Sequence, residues 1–181
     1  FQDVIKKHVV GFRDFMGPDI VRFEFPGSFP PYFNKSKAFE ERTVFCLKDI
    51  IIAPKTGLAW IEEGFMFAES YGSLRRVVGW GNFLEECKLR DKDLDTEETV
   101  ICFPDTGYYD WLLEIVPNLL YALREFPGSK ILVYDKASEY LKEALRLLLG
   151  ERADEVMIVS NVPVKVKSLA LTQFRAYASF I

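Results

Sequence analysis

The sequence predicts an α/β fold, and three observations predict it. Residues 99–103 (TVICF), 130–134 (KILVY) and 155–159 (EVMIV) are short apolar runs, the form taken by strands buried on both faces. Two stretches of helical period, 108–126 and 138–149, separate them. Strand, helix, strand, helix, strand in that order requires crossover connections, which are right-handed and build a parallel sheet covered by helices. The second half therefore reads as a Rossmann-like βαβα unit, preceded by a small antiparallel β region.

The first half is taken in chain order. Residues 1–16 predict an amphipathic helix with Val4, Ile5, Val9, Phe12 and Phe15 near one face, although Gly11 weakens it. Pro18, Pro26, Pro30 and Pro31 then mark 17–33 as a loop or linker, because proline fixes φ and removes a donor. Residues 43–53 and 58–69 are apolar runs punctuated by Pro54, Gly57 and Gly64. They read as strands of an antiparallel meander, with Asp49, Glu62 and Glu63 at turns or solvent faces. Residues 82–88 predict a short helix capped by Asn82, and the charged stretch 89–98 (LRDKDLDTEE) a solvated connection. The expected division is 1–42, 43–98 and 99–181, the last two able to form one continuous domain.

In the second half, residues 104–107 (PDTG) form a turn before the first helix. That helix places Trp111, Ile115, Leu119 and Leu123 on one stripe, flanked by Leu112, Val116 and Leu120. Pro117 inside it removes one backbone bond and predicts a kink, at about 3 kcal/mol if uncompensated. Pro127 and Gly128 end the element. Ser138 is placed to cap the next helix, whose core face holds Leu141, Ala144, Leu145, Leu148 and Leu149. Gly150 predicts a left-handed terminus, and 164–171 a fourth strand.

Composition removes several functions. The net charge is −4 without a run of basic residues, which disfavours nucleic-acid binding by a general basic surface. Cys46, Cys87 and Cys102 are odd in number and widely spaced, so free thiols are expected. With no CxxC pair and His8 as the single histidine, neither a Cys/His zinc site nor a histidine-based triad is expected. No cofactor or metal is implied. No run approaches the ~18 apolar residues of a membrane span. The chain opens on Phe1 and stops at Ile181 within an apolar segment, as a piece of a longer protein would.

Two motifs are weak. Gly79-Trp80-Gly81 partly matches a dinucleotide fingerprint, but Leu84 stands at the third glycine position and only Val77-Val78 precedes it. A glycine turn is the better reading, and a nicotinamide-dependent enzyme ranks last. Asn34-Lys35-Ser36 fits the N-glycosylation pattern, which matters only in a secretory compartment.

The segment after 99–103 carries more. In open α/β sheets ligands gather beyond the carboxyl ends of strands. Asp105, Thr106, Gly107, Tyr108, Tyr109 and Asp110 occupy that position, and Glu114 lies one turn beyond Asp110 on the same helix face. Such paired carboxylates can serve as a base and its partner. They are equally the acidic charge that a helix N-terminus favours.

The run GYYDWLLEIVPNLLYALREFPGSKILVY (107–134) resembles the signature of glycosyltransferase family sixty-one, the capsular-polysaccharide and plant xylan transferase group. Tyr108, Tyr109, Trp111, Leu112, Glu114 and Pro117 match its aromatic–His–Trp-Leu-x-Glu-x-x-Pro-Arg pattern, and 140–150 (YLKEALRLLLG) resembles its next helix. The likeness spans roughly 43–171. Asp110 stands where the family has histidine, and Asn118 where it has arginine, which puts an anion contact there in doubt. The resemblance implies one lobe of a GT-B enzyme that inverts the sugar carbon without an obligatory metal. Taken with the strand-end position, this makes Asp110 and Glu114 the expected catalytic residues, and Asp105, Thr106, Gly107, Tyr108, Tyr109 and Trp111 the expected substrate contacts. The resemblance also implies a nucleotide-sugar donor, a saccharide acceptor and a C-terminal lobe beyond Ile181. A cytoplasmic location is expected, with a peripheral membrane position or the secretory pathway left open. The alternative is a non-catalytic binding or assembly domain of the same fold.

Overall fold

The computed structural model describes residues 7–16, 19–22, 36–39, 42–64, 67, 92–105 and 107–172. Its strands are β1 (Val9–Met16), β2 (Asp19–Arg22), β3 (Ser36–Phe39), β4 (Arg42–Ile52), β5 (Ala59–Trp60), β6 (Lys92–Asp93), β7 (Val100–Cys102), β8 (Lys130–Tyr134), β9 (Val156–Val159) and β10 (Val164–Thr172). Helix α1 covers 108–125 and α2 is Glu139–Leu149. The expected helix at 82–88, the Gly79–Gly81 turn and Asn34 lie outside the described residues.

The protein is mixed α/β. One eight-stranded sheet runs in the order β1-β4-β10-β7-β8-β9, with β5 beside β4 and β6 beside β10; β2 and β3 pair separately. The expected strands at 99–103, 130–134 and 155–159 are β7, β8 and β9, mutually parallel, with a helix in each connection. The sheet is not parallel throughout, however. β10 lies parallel to β7 on one side and antiparallel to β4 on the other, from Val164 opposite Ile52 to Thr172 opposite Val44. Strands from the 43–98 and 99–181 segments thus belong to one sheet.

The N-terminal expectation is corrected. Residues 9–16 form a strand, antiparallel to β4 with Phe12 opposite Phe45 and Arg13 opposite Val44. Val9 and Val10 favour extended backbone and Gly11 weakens a helix, so the open edge of β4 decides the outcome. His8 anchors the entry to this strand: its carbonyl accepts from the Lys48 N–H at 2.8 Å, and its Nδ1–H donates to the Lys48 carbonyl at 2.9 Å. The charged connection keeps Asp93, Asp95, Glu97 and Glu98 exposed, yet Lys92 and Asp93 form a short strand on β10.

Two apolar layers cover the sheet. On one face Ile101, Ile131, Val133 and Ala170 pack under Trp111, Ile115, Leu119 and Leu123 of α1 and Leu141, Leu145 and Leu149 of α2. On the other, Val100, Cys102 and Leu132 join Leu47, Ile50, Ile52, Val164, Val166 and Leu169. Burial of these two apolar layers is the principal stabilisation of such a fold.

Three local expectations are revised. The irregularity in α1 is a π-helical turn, Trp111–Ile115, in which the Val116 N–H donates to the Trp111 carbonyl five residues back. Pro117 follows directly on that turn, as the second residue of the α-helical continuation, Val116–Glu125, and the π-helical turn stands where the kink was expected. Leu148 is exposed rather than core. Gly150 has φ +54 with ψ −117, a positive φ outside the left-handed helical region, and a short 3₁₀ segment follows it.

Candidate functional site

The site is built at the carboxyl ends of β7 and β8. Beyond Cys102 the chain runs through buried Phe103 and Pro104 to Asp105, whose N–H donates to the Lys55 carbonyl at 3.0 Å. Lys55 belongs to the β4–β5 turn, closed by the Gly57 N–H on the Ala53 carbonyl at 2.8 Å. Gly57 adopts φ +69, and a Cβ there would stand 2.9 Å from Pro104 Cδ and 3.0 Å from Pro104 N. Only glycine lets this turn lie so close to the exit of β7.

The Asp105 carboxylate organises the next layer. Oδ2 accepts from the Tyr134 hydroxyl at 2.9 Å and from the Ser138 N–H at 3.2 Å, while Oδ1 accepts from the Ser138 hydroxyl at 2.8 Å. Asp105 therefore joins the end of β7 to the end of β8 and the start of α2. Ser138 holds the N-cap position of α2, but its hydroxyl makes no capping bond. The expected cap is corrected: that hydroxyl is committed to Asp105, whose carboxylate meets the helix N-terminus in its place. Burial, then the hydrogen bond to Asp105, pushes the Tyr134 hydroxyl up to about 12.

Around this core lie the other expected residues. Gly107 is exposed and precedes α1. Tyr108 is 55% exposed and meets Tyr140 edge to face, with ring centroids 5.8 Å apart. Asp110 is half-buried in the first turn of α1. Thr106 and the side chains of Tyr109 and Glu114 lie outside the described residues, so the Asp110–Glu114 pair is not placed.

Trp111 takes the core place that its helical stripe predicts, and the substrate contact expected of it is corrected. It is 2% exposed, sunk into the helix-side core, and so presents no ring face to a saccharide. Its indole N–H is buried without a hydrogen-bond partner among the described residues. It lines a cavity of about 10 Å³ with Asp105, Tyr134 and Leu141, space on the order of one water molecule. A larger cavity of about 270 Å³ lies on the helix-covered face beside β9, between Val133, Lys142, Leu145, Arg146, Val156 and Ile158. Asp110 lines neither.

Among the described residues no cluster of three or more His, Cys, Asp or Glu side chains could hold a metal ion, and no helix is long and apolar enough to cross a membrane. Cys102 is buried, and burial pushes its thiol up to about 12, the character of an inert core cysteine. Sequence reasoning missed Tyr134 and Ser138 as partners of Asp105, and Tyr140 as the neighbour of Tyr108. The available signal was a tyrosine closing a strand at the sheet edge where helix starts converge. No known protein family, curated protein or solved structure matches the chain.

Proposed function

We propose that this chain is the N-terminal, acceptor-side lobe of an inverting glycosyltransferase of GT-B type, with a Rossmann-like unit formed by β7, α1, β8, α2 and β9. The observation that carries the reading is the position of exposed Tyr108 and half-buried Asp110 in the first helical turn beyond β7. An aromatic ring and a carboxylate beyond the carboxyl end of one strand suit a saccharide, which offers a C–H face and hydroxyl protons. Asp110 accepts the proton of the acceptor hydroxyl as its oxygen bonds to the sugar carbon and the nucleoside diphosphate leaves from the opposite face. Glu114, the family's matching carboxylate, is given the role of orienting the base by the resemblance alone. The donor diphosphate is held by a second lobe, and the location is cytoplasmic.

The test uses the full-length protein, a panel of nucleotide sugars and saccharide acceptors. Asp110→Asn is expected to lower kcat by roughly 10²–10⁴ without lowering Tm, the range for loss of a general base. Unchanged turnover would remove Asp110 from the mechanism.

A non-catalytic assembly domain is the second reading. It is favoured by the outer side of α1, where Leu112 and Leu120 are 42% and 48% exposed and Val116 lies between them. That stripe suits a protein partner. Detection of sugar transfer would end this reading.

A further inference from the structure

Trp111 brings into the helix-side core a donor that the core does not satisfy. The residue is 2% exposed, and its indole N–H has no hydrogen-bond partner among the described residues. A buried donor left unpaired is costly, and folded proteins satisfy nearly all of them with protein groups or ordered water. The same residue lines the cavity of about 10 Å³ at the carboxyl ends of β7 and β8. That volume admits about one water. Most of the wall is apolar, with Phe103, Leu141 and Leu145 in it, and a wholly apolar cavity stays dry. Here three polar side chains interrupt it: Trp111, Asp105 and Tyr134.

Their hydrogen-bonding capacities select the occupant. The indole only donates. A carboxylate has about four lone-pair positions, and Asp105 uses three of them, two on Oδ2 and one on Oδ1. The Tyr134 hydroxyl gives its proton to Asp105 and keeps its oxygen as an acceptor. The occupant must therefore accept from the indole and donate to the other two. A metal cation cannot accept the indole proton, and an anion would meet the Asp105 carboxylate at close range.

We propose that this cavity is the binding site of a single structural water, which accepts from the Trp111 indole N–H and donates to Asp105 Oδ1 and to the Tyr134 oxygen. Trp111 opens the π-helical turn of α1, and Asp105 ties the ends of β7 and β8 to the start of α2. The water joins the two. It fixes the first turn of α1, which carries Tyr108 and Asp110, relative to the strand ends. This site stands independently of the proposed transferase reading.

A crystal structure of the full-length protein, at a resolution that orders buried waters, tests the proposal. Density for one water is expected within about 2.7–3.2 Å of Trp111 Nε1 and of Asp105 Oδ1. A direct bond from the indole to Asp105 or Tyr134 would overturn the proposal, as would a featureless cavity in a crystal that orders waters elsewhere. In solution, with ¹⁵N-tryptophan labelling, the Trp111 indole proton is expected to show a cross-peak to water of opposite sign in NOESY and ROESY spectra, the mark of a long-lived bound water. No cross-peak, or one of equal sign, would overturn it. The peak is expected to remain in Tyr134→Phe, where no hydroxyl can relay it, and its loss there would count against the site. Where Tyr134→Phe does not fold, the crystallographic density decides.

Discussion

Asp49 and Lys167 fall between the same two rungs of the β4–β10 ladder, Ile50–Val166 and Lys48–Ser168, and both strands change phase there. On one side of the break Phe45, Leu47, Leu169 and Leu171 belong to the layer away from the helices; on the other Ile50, Ile52, Val164 and Val166 join that same layer. The buried positions switch from odd to even numbers in both strands at once. Strict alternation would have turned half of these side chains to the opposite face. The backbone of Asp49, at φ +55, absorbs the change in β4, and Lys167 turns outward to pair with Glu97.

Asp49 predicts a graded substitution series. A left-handed conformation costs about 1–2 kcal/mol for ordinary residues and little for glycine. Asp49→Gly is expected to leave stability unchanged or slightly raised, and Asp49→Val to lower it by roughly that cost. Urea unfolding midpoints check this, and equal midpoints for the two variants would contradict it.

Gly57 is expected to tolerate even less. Gly57→Ala meets a positive φ and a backbone neighbour, Pro104 N, at 3.0 Å. The loss is expected to exceed the ~1–2 kcal/mol of the conformation alone, because the turn must also move off β7. A thermal melt is the measurement; a Tm within a degree of wild type would show that the turn yields freely.

Removing Asp105 strands the Tyr134 hydroxyl and the Ser138 N–H at the start of α2. Asp105→Ala is expected to destabilise by about 1–3 kcal/mol, the range for buried polar groups left unpaired. Tyr134→Phe in the same background should then cost little further, since their contact is already lost. A double-mutant cycle by urea unfolding measures the coupling, and simple additivity would deny the link.

Alkaline pH tests the buried layer. Tyr134 and Cys102 are each pushed up to about 12, from ordinary values of 10 and 9. Between those limits the folded chain keeps protons that the unfolded chain has released, so stability falls as pH rises. The contribution is complete below about pH 9 and is lost progressively toward pH 12. Tyr134→Phe or Cys102→Ala should each flatten this alkaline decline in unfolding free energy, and an unaltered slope would contradict it.

The sequence by itself determined β7, β8 and β9, the two helices between them and the face each helix buries. Their signals are local: a short apolar run, a stripe of helical period, a proline or glycine at the boundary. It also singled out the segment after β7 as a candidate site. Tertiary structure alone decided that 9–16 is a strand, because the open edge of β4 supplied partners that no local period records. It alone inserted β10 between β4 and β7 and set the Asp105 carboxylate on Tyr134 and Ser138, tying the end of β7 to β8 and α2. Each of these depends on hydrogen bonds or packing between residues distant in the chain, and a side chain's role is set by the partner it meets there.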